Sequence, residues 1–343
     1  MKMPLITKEN FFRELEKEPK PWQEEYLAMY CSQWKGATTD PHLMLIPIDD
    51  HLVHRGDGVF DVLRCVRGNI YQMEAHLERL ERSARAISLH LPPDYTEVRD
   101  LIKALVVMGG EKECLIRVVL SRGPGSFSTD PSDCIGPQLY INVIRFRPLP
   151  ASCYEEGIGL VTSAVPIKKA FFANIKSCNY LPNVLMKLDA LRAGCRYSIG
   201  LDEEGFIAEG STENVGVFTQ DGVLKFPGFK RTLSGITASR IFELAKGLVE
   251  EGIIKDVIFA NIRPEEAYEA KEMFLTGTSL NIVPVVAYDG RRIGEEVPGP
   301  IYARLTTLLW EDMTNNDALL TRIDWDHPAK ILEGEGCQRP VSI

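Results

Sequence analysis

NIKSCNYLPNVLMK, residues 174–187, places a lysine where its surroundings give it no obvious partner. Lys176 lies between Ile175 and Ser177, just ahead of an apolar helical repeat, whereas a solvated lysine usually keeps charged neighbours. Taken alone, it reads as a lysine whose stem lies along apolar surface with its ammonium in water. The other reading is chemical. In a desolvated pocket the charged form is disfavoured, and the free amine becomes a nucleophile towards carbonyls.

A second stretch, IAEGSTENVGVF at 207–218, bears on the choice. Glu209 enters a strand beside Ile207 and Ala208, where a carboxylate is costly without a cationic partner. A protonated pyridine nitrogen would be a suitable one. Glu213 instead suits a surface hairpin.

Composition sets the outer limits. A chain of 343 residues with 45% apolar content buries a large core, and two domains are expected at this length. No stretch has the ~18 consecutive apolar residues of a membrane helix, and MKMPLITKENFFRELEKE lacks the apolar core of a signal peptide, so a cytoplasmic protein is expected. The net charge of −9 argues against a nucleic-acid surface, which needs a basic stripe. The 8 cysteines include no C-x-x-C pair, and the 6 histidines form no H-E-x-x-H, so reduced thiols and no metal are expected.

The order of patterns is mixed. LMLIPI, GDGVFDVLRCV and a turn at Arg67–Asn69 read as strands and a hairpin, and EAHLERLERSARAISLH reads as a helix with Leu77, Leu80, Ala84 and Ile87 on one face. A second helix near 98–108 precedes the strand-like ECLIRVVL and QLYINVIRF. RFRPLPASCYEEG, beside residue 150, is a candidate linker between a smaller N-terminal domain (1–150) and a larger one (151–315), with a poorly patterned tail at 316–343. Helices near 181–194, over ASRIFELAKGLVEE and across IYARLTTLLWEDM alternate irregularly with short strands, which predicts an α+β fold.

IKSCNYLPNVLMK, AEGSTENVGVF, GDGVFDVLR with HLERL, SGITASRIFELA and FLTGTS occur in the order found in fold-type IV (class IV) pyridoxal-phosphate aminotransferases, which the chain resembles over roughly residues 40 to 315. That group includes branched-chain and D-amino-acid aminotransferases and aminodeoxychorismate lyases. PIDDHLVHRGDGVFDV and LSRGPGSF look most similar to the plant-type D-amino-acid aminotransferase and aminodeoxychorismate lyase branch. The resemblance implies a small N-terminal α/β domain, a larger pseudo-barrel domain, pyridoxal 5'-phosphate as cofactor and a homodimer.

It also implies roles, residue by residue. Lys176 would form an aldimine with the cofactor and shuttle the substrate proton, while Glu209 would keep the pyridine nitrogen protonated. Tyr180, four residues on and able to share a helical turn with Lys176, would lie near the cofactor's phenolic oxygen. Arg79 would bind the phosphate with its planar fork. By periodicity alone it would be a solvated arginine. Ile236 and Thr237 would offer an anion site at a helix N-terminus, where a plain N-cap threonine is the simpler reading, and Thr278 would close the phosphate cup. Phe60, Arg117 and Arg55 are the substrate-side candidates, the two arginines serving equally well as structural ion-pair partners. Val53 and the run Gly125–Thr129 stand where bacterial D-amino-acid enzymes carry their carboxylate trap, and SRGPGSF reads as a loop over the site's mouth. The expected activity is transamination between an amino acid and a 2-oxo acid. Release of pyruvate from aminodeoxychorismate is the alternative, and a non-catalytic cofactor-binding protein is a third.

Overall fold

The run Gly58–Val66 is apolar at most positions because it is covered on both faces. Alternate residues Val59, Leu63 and Cys65 enter a core formed with the helices Met73–Ala86 and Val98–Gly109. Between them on that face is the polar Asp61, also buried. The intervening residues point the other way: Phe60 and Val62 to a second apolar cluster, Val66 to a third. One strand therefore contributes to three packed surfaces, as a period of two allows.

The computed structural model describes residues 3–326. Its strands are β1 (Tyr26–Cys31), β2 (Gly36–Thr38), β3 (Gly58–Val66), β4 (Asn69–Tyr71), β5 (Cys114–Ser121), β6 (Gln138–Arg145), β7 (Ile158–Thr162), β8 (Tyr197–Leu201), β9 (Ile207–Gly210), β10 (Asn214–Phe218), β11 (Val223–Pro227), β12 (Asp256–Ala260), β13 (Glu272–Gly277), β14 (Asn281–Tyr288), β15 (Arg291–Arg292) and β16 (Leu320–Arg322). They form two sheets. The first, with 7 strands, runs β16-β4-β3-β5-β6-β1-β2, and the second, with 9, runs β12-β11-β10-β13-β14-β7-β8-β9 with β15 on β14. The fold is α+β, and the chain passes from one sheet to the other across the proline-rich stretch at 146–150. β16 lies in the stretch expected to be an unpatterned tail, yet it pairs antiparallel with β4. The rest of that tail, from residue 327, lies outside the described residues.

Register makes rows across the first sheet's outer face. Phe60 pairs with Val119 and Val119 with Tyr140; Val62 pairs with Arg117 and Arg117 with Asn142; Arg64 pairs with Leu115 and Leu115 with Ile144. These residues share one side because cross-strand partners do. The arginine of the middle row thereby stands between Val62 and Asn142, with the apolar pairs of the outer rows on either side.

The second sheet also buries both faces. Val215, Val217, Met273, Leu275, Val283 and Val285 fill one core, while Phe274 and Ile282 meet the helices Ile236–Glu250 and Pro300–Asn315 on the other. Glu272 fixes the second of those helices. Its carboxylate, 7% exposed, accepts from Ile301 N–H at 2.9 Å and Tyr302 N–H at 2.7 Å, so it satisfies two orphan donors at the positive end of the helix. A Cβ on Gly299 would lie 2.1 Å from that carboxyl carbon, which keeps the position free of a side chain. Among the described residues no helix is long and apolar enough to cross a membrane.

Glu272→Ala leaves those two buried N–H groups unsatisfied. It should lower the free energy of unfolding by about 2 kcal/mol, measured by urea denaturation, and Glu272→Gln should recover part of the loss.

Candidate active site

At its N-terminal end β3 has an open edge, because β4 pairs only with Arg64–Val66. The segment carrying Lys176 takes that edge. Phe60 N–H donates to Lys176 O at 2.9 Å, Cys178 N–H donates to Gly58 O at 2.8 Å, and Val59 bridges Ser177 antiparallel. From the other side, Lys176 N–H donates to Ser83 Oγ at 3.2 Å. With its backbone tied on both sides, the amine has a defined exit direction.

Lys176 Nζ donates to Tyr180 Oη at 3.3 Å and stands 5.0 Å from the centre of the Phe60 ring. Burial depresses the amine to about 8, aided by the positive charge of Arg79 and opposed by Asp61 and Glu209. Tyr180 is the residue preceding the helix Leu181–Arg192. The two side chains therefore meet across a bridge at Ser177 and a bend at Cys178, not along the single helical turn that their spacing predicts. Phe60 packs edge-on to Tyr180, with ring centres 5.1 Å apart.

Glu209 arrives from β9 and its Oε2 accepts from Leu233 N–H at 2.8 Å. Burial pushes the carboxyl up to about 7, although this bond and the charges of Lys176 and Lys168 draw it down. Lys168, which the sequence did not single out, lines the same small cavity as Lys176, Tyr180 and Glu209, with its Nζ 4.8 Å from the centre of the Tyr180 ring. Glu213 corrects an expectation. It is 4% exposed and accepts from Thr212 N–H at 2.9 Å and from the Thr212 and Ser211 hydroxyls. Its own turn solvates it inside the protein.

Arg79 is buried against the carboxylate of Asp61, donating from Nε and Nη2 at 2.7 Å each, while His76 Nδ1 lies 2.7 Å from the same group. Burial alone would raise the Asp61 carboxyl, but Arg79 and His76 outweigh it and hold it well below the usual range. The third arm, Nη1, donates to Ser234 O at 3.0 Å. That contact sets the guanidinium beside Gly235, the N-cap of the helix Ile236–Glu250, which has no side-chain cap. Its first N–H groups therefore have no partner within the helix. The turn is tight: a Cβ on Gly235 would lie 1.8 Å from Asn214 Oδ1. Ile236, Thr237 and Thr278 line one cavity there.

These parts open onto a cleft of about 800 Å³ whose walls include Phe60, Val62, Arg79, Arg117, Lys176 and Thr278. Arg117 has no carboxylate or hydrogen-bond partner among the described residues, and its guanidinium stands 5.2 Å from the centre of the Phe60 ring. Glu209, Ile236 and Thr237 line the two smaller cavities beside the cleft, whereas Arg55 lines none of the three. It donates to His54 O at 3.0 Å and to Phe127 O. The loop carrying Phe127 lies on the helix His51–Arg55, where His51 Nε2 is 3.1 Å from Ser126 O. None of Ser121–Phe127 is among the residues that line the cleft.

Comparison with known proteins agrees with this geometry. Residues 58–288 match the family model described as amino-transferase class IV. A chloroplastic D-amino-acid transaminase of Arabidopsis thaliana is 42% identical over 84% of this chain and 77% of its own. A putative branched-chain-amino-acid aminotransferase of Methanocaldococcus jannaschii is 34% identical over 76% of this chain and 88% of its own. The T.th. branched-chain amino acid aminotransferase with pyridoxamine 5'-phosphate superposes with a TM-score of 0.81 at 26% identity, covering 88% of this chain and 99% of that one.

The carboxyl of Glu209 implies a pH signature. An unfolded chain loses this proton near 4.5, and the folded chain holds it to about 7. The group's stabilising contribution is complete below pH 4.5 and is lost as pH rises through 7. Ligand-free Glu209→Gln should therefore be more stable than the parent above pH 7, with the gap closing towards pH 4.5 in urea titrations.

Proposed function

The chain belongs to the class IV aminotransferases, and from that premise we propose the part each residue plays in moving an amino group from an amino acid to a 2-oxo acid. The observation that carries the reading is Lys176. Its amine is enclosed, held to about 8, and directed into a cleft that also contains an unpaired arginine.

Pyridoxal 5'-phosphate suits the donors present. A phosphate fits beside Arg79, the uncapped first turn of the helix Ile236–Glu250 and the hydroxyls of Thr237 and Thr278, neither of which has another partner among the described residues. A ring nitrogen suits Glu209, whose only hydrogen bond among the described residues is the one from Leu233. The buried Thr276 Oγ on β13, opposite Asn214, is a further polar atom without a partner among the described residues. When bound, the group supplies an aldehyde for an amine and a sink for electron density.

The chain's residues do the rest. Lys176 Nζ, with much of its population neutral near pH 8, takes the proton from the donor's α-carbon and later returns one. Tyr180 Oη accepts from that amine and limits its swing. Glu209 receives the ring N–H. Arg117 binds the substrate carboxylate, with a guanidinium that its neighbours Val62 and Phe60 leave free. Phe60, Val62, Val119, Leu115 and Ile144 offer the donor an apolar wall, so the donor's side chain is aliphatic. The likeness to the plant D-amino-acid transaminase supports a D-configured donor.

We place the enzyme in the cytoplasm as a homodimer. Free cysteines, seven among the described residues, support a reducing compartment. Exposed Trp34, Leu43, Leu45 and Ile48 near the first sheet's edge support a subunit interface.

A panel of D- and L-aliphatic amino acids with 2-oxoglutarate as acceptor tests the reading. D-donors should transfer their amino group, and Lys176→Ala should lower turnover by about 10²–10⁴-fold. Pyruvate released from aminodeoxychorismate with no 2-oxo acid present would overturn it in favour of a lyase. Arg117→Met should raise KM for the donor by about tenfold with a smaller effect on kcat, the pattern of a lost carboxylate contact.

A further inference from the structure

A second arginine reaches the corner occupied by Ile236, Thr237 and Thr278. Arg64 leaves β3 on the same face as Phe60 and Val62, and it is 5% exposed. Its Nη1 donates to Asn281 Oδ1 at 2.7 Å across the gap between the two sheets. Nη2 lies 3.5 Å from Glu113 Oε2, and the guanidinium carbon stands 3.9 Å from the centre of the Phe146 ring. Nε is buried and has no hydrogen-bond partner among the described residues.

Asn281 is itself unusual. It holds φ at +61°, opens β14 and pairs in register with Gly277. Thr278 lies in the turn between them. Arg64, Ile236, Thr237, Thr278 and Asn281 together line a cavity of about 10 Å³, room for a single water. A guanidinium held this deep, with one well-formed bond and one longer contact to a half-exposed carboxylate, is costly without a further anion nearby.

We propose that Arg64 is a positioning residue for the phosphate group. Through Asn281 it sets the turn that presents Thr278, and it brings a second positive charge to the phosphate corner from the opposite sheet. The inference rests on the reading above, in which this corner takes the phosphate of pyridoxal 5'-phosphate.

The test titrates ligand-free protein with pyridoxal 5'-phosphate and, separately, with pyridoxal, which lacks the phosphate, following absorbance that depends on Lys176. Arg64→Met removes charge and contact. Asn281→Gly removes the contact alone and keeps the left-handed backbone relaxed. Each should raise the Kd for the phosphorylated compound, by about tenfold for Arg64→Met, as for a lost charge-assisted bond, and leave pyridoxal unchanged. The double variant should match Arg64→Met, because both changes break one contact. Equal losses for the two compounds, or no loss for either, would overturn the inference; should Arg64→Met fail to fold, Asn281→Gly decides it by the same comparison. A parent protein that takes up neither compound at Lys176 would instead overturn the functional reading itself.

Discussion

Much of the site hangs on one buried carboxylate. Asp61 sits on the inner face of β3 with no access to water, so it must be paired, and Arg79 and His76 of a single helix pair it. Removing one member of such a group leaves an uncompensated buried charge, a cost of about 3–5 kcal/mol. The pairing does more than neutralise. It locks the helix Met73–Ala86 onto β3 at a set height, which sends the free arm of Arg79 to Ser234 and brings Ser83 under the backbone of Lys176. The cation at one end of the site and the amine at the other are thus indexed to the same carboxylate.

The electrostatics follow from that arrangement. Arg79 acts on Lys176 as a like charge, so the guanidinium that pairs Asp61 also weakens the amine's hold on its proton. Glu209 and Lys176 pull each other towards their charged forms, and burial works against both. The site is a set of partly frustrated charges held close enough for small changes in occupancy to redistribute protons among them.

The coarse fold could be read from the sequence because its signals are local. The alternation of β3, the helix Met73–Ala86 and the Gly235-Ile236-Thr237 start of a helix each depend on neighbouring residues, and the residues that five ordered motifs single out, Lys176, Glu209 and Arg79, lie in the fold on adjoining cavities. What could not be read depends on partners far along the chain. Glu213 looks like a surface acid until its own turn folds over it. Arg55 looks like a cleft cation until Phe127 O claims it. Asp61 and Arg64 appear in the motif GDGVFDVLR without any hint that one faces a helix and the other a different sheet. Tyr180 meets Lys176 across a bridge and a bend, a path that helical spacing does not describe. The strand at 320–322 is too short to announce itself, and its partner β4 was made long before it.

That last pairing bears on how the chain is built. Leu320 stands in register with Tyr71, and Trp325 Nε1 then donates to Gly68 O at 2.9 Å, closing the edge of the first sheet. A ribosome emits residues in order, so β4 and the Arg67–Gly68 turn stay exposed while the whole second sheet is synthesised. The first half of the protein cannot reach its final form as an independent nascent domain. Its last strand follows the second sheet in the chain, so that the edge of the first sheet closes through a pairing of high contact order.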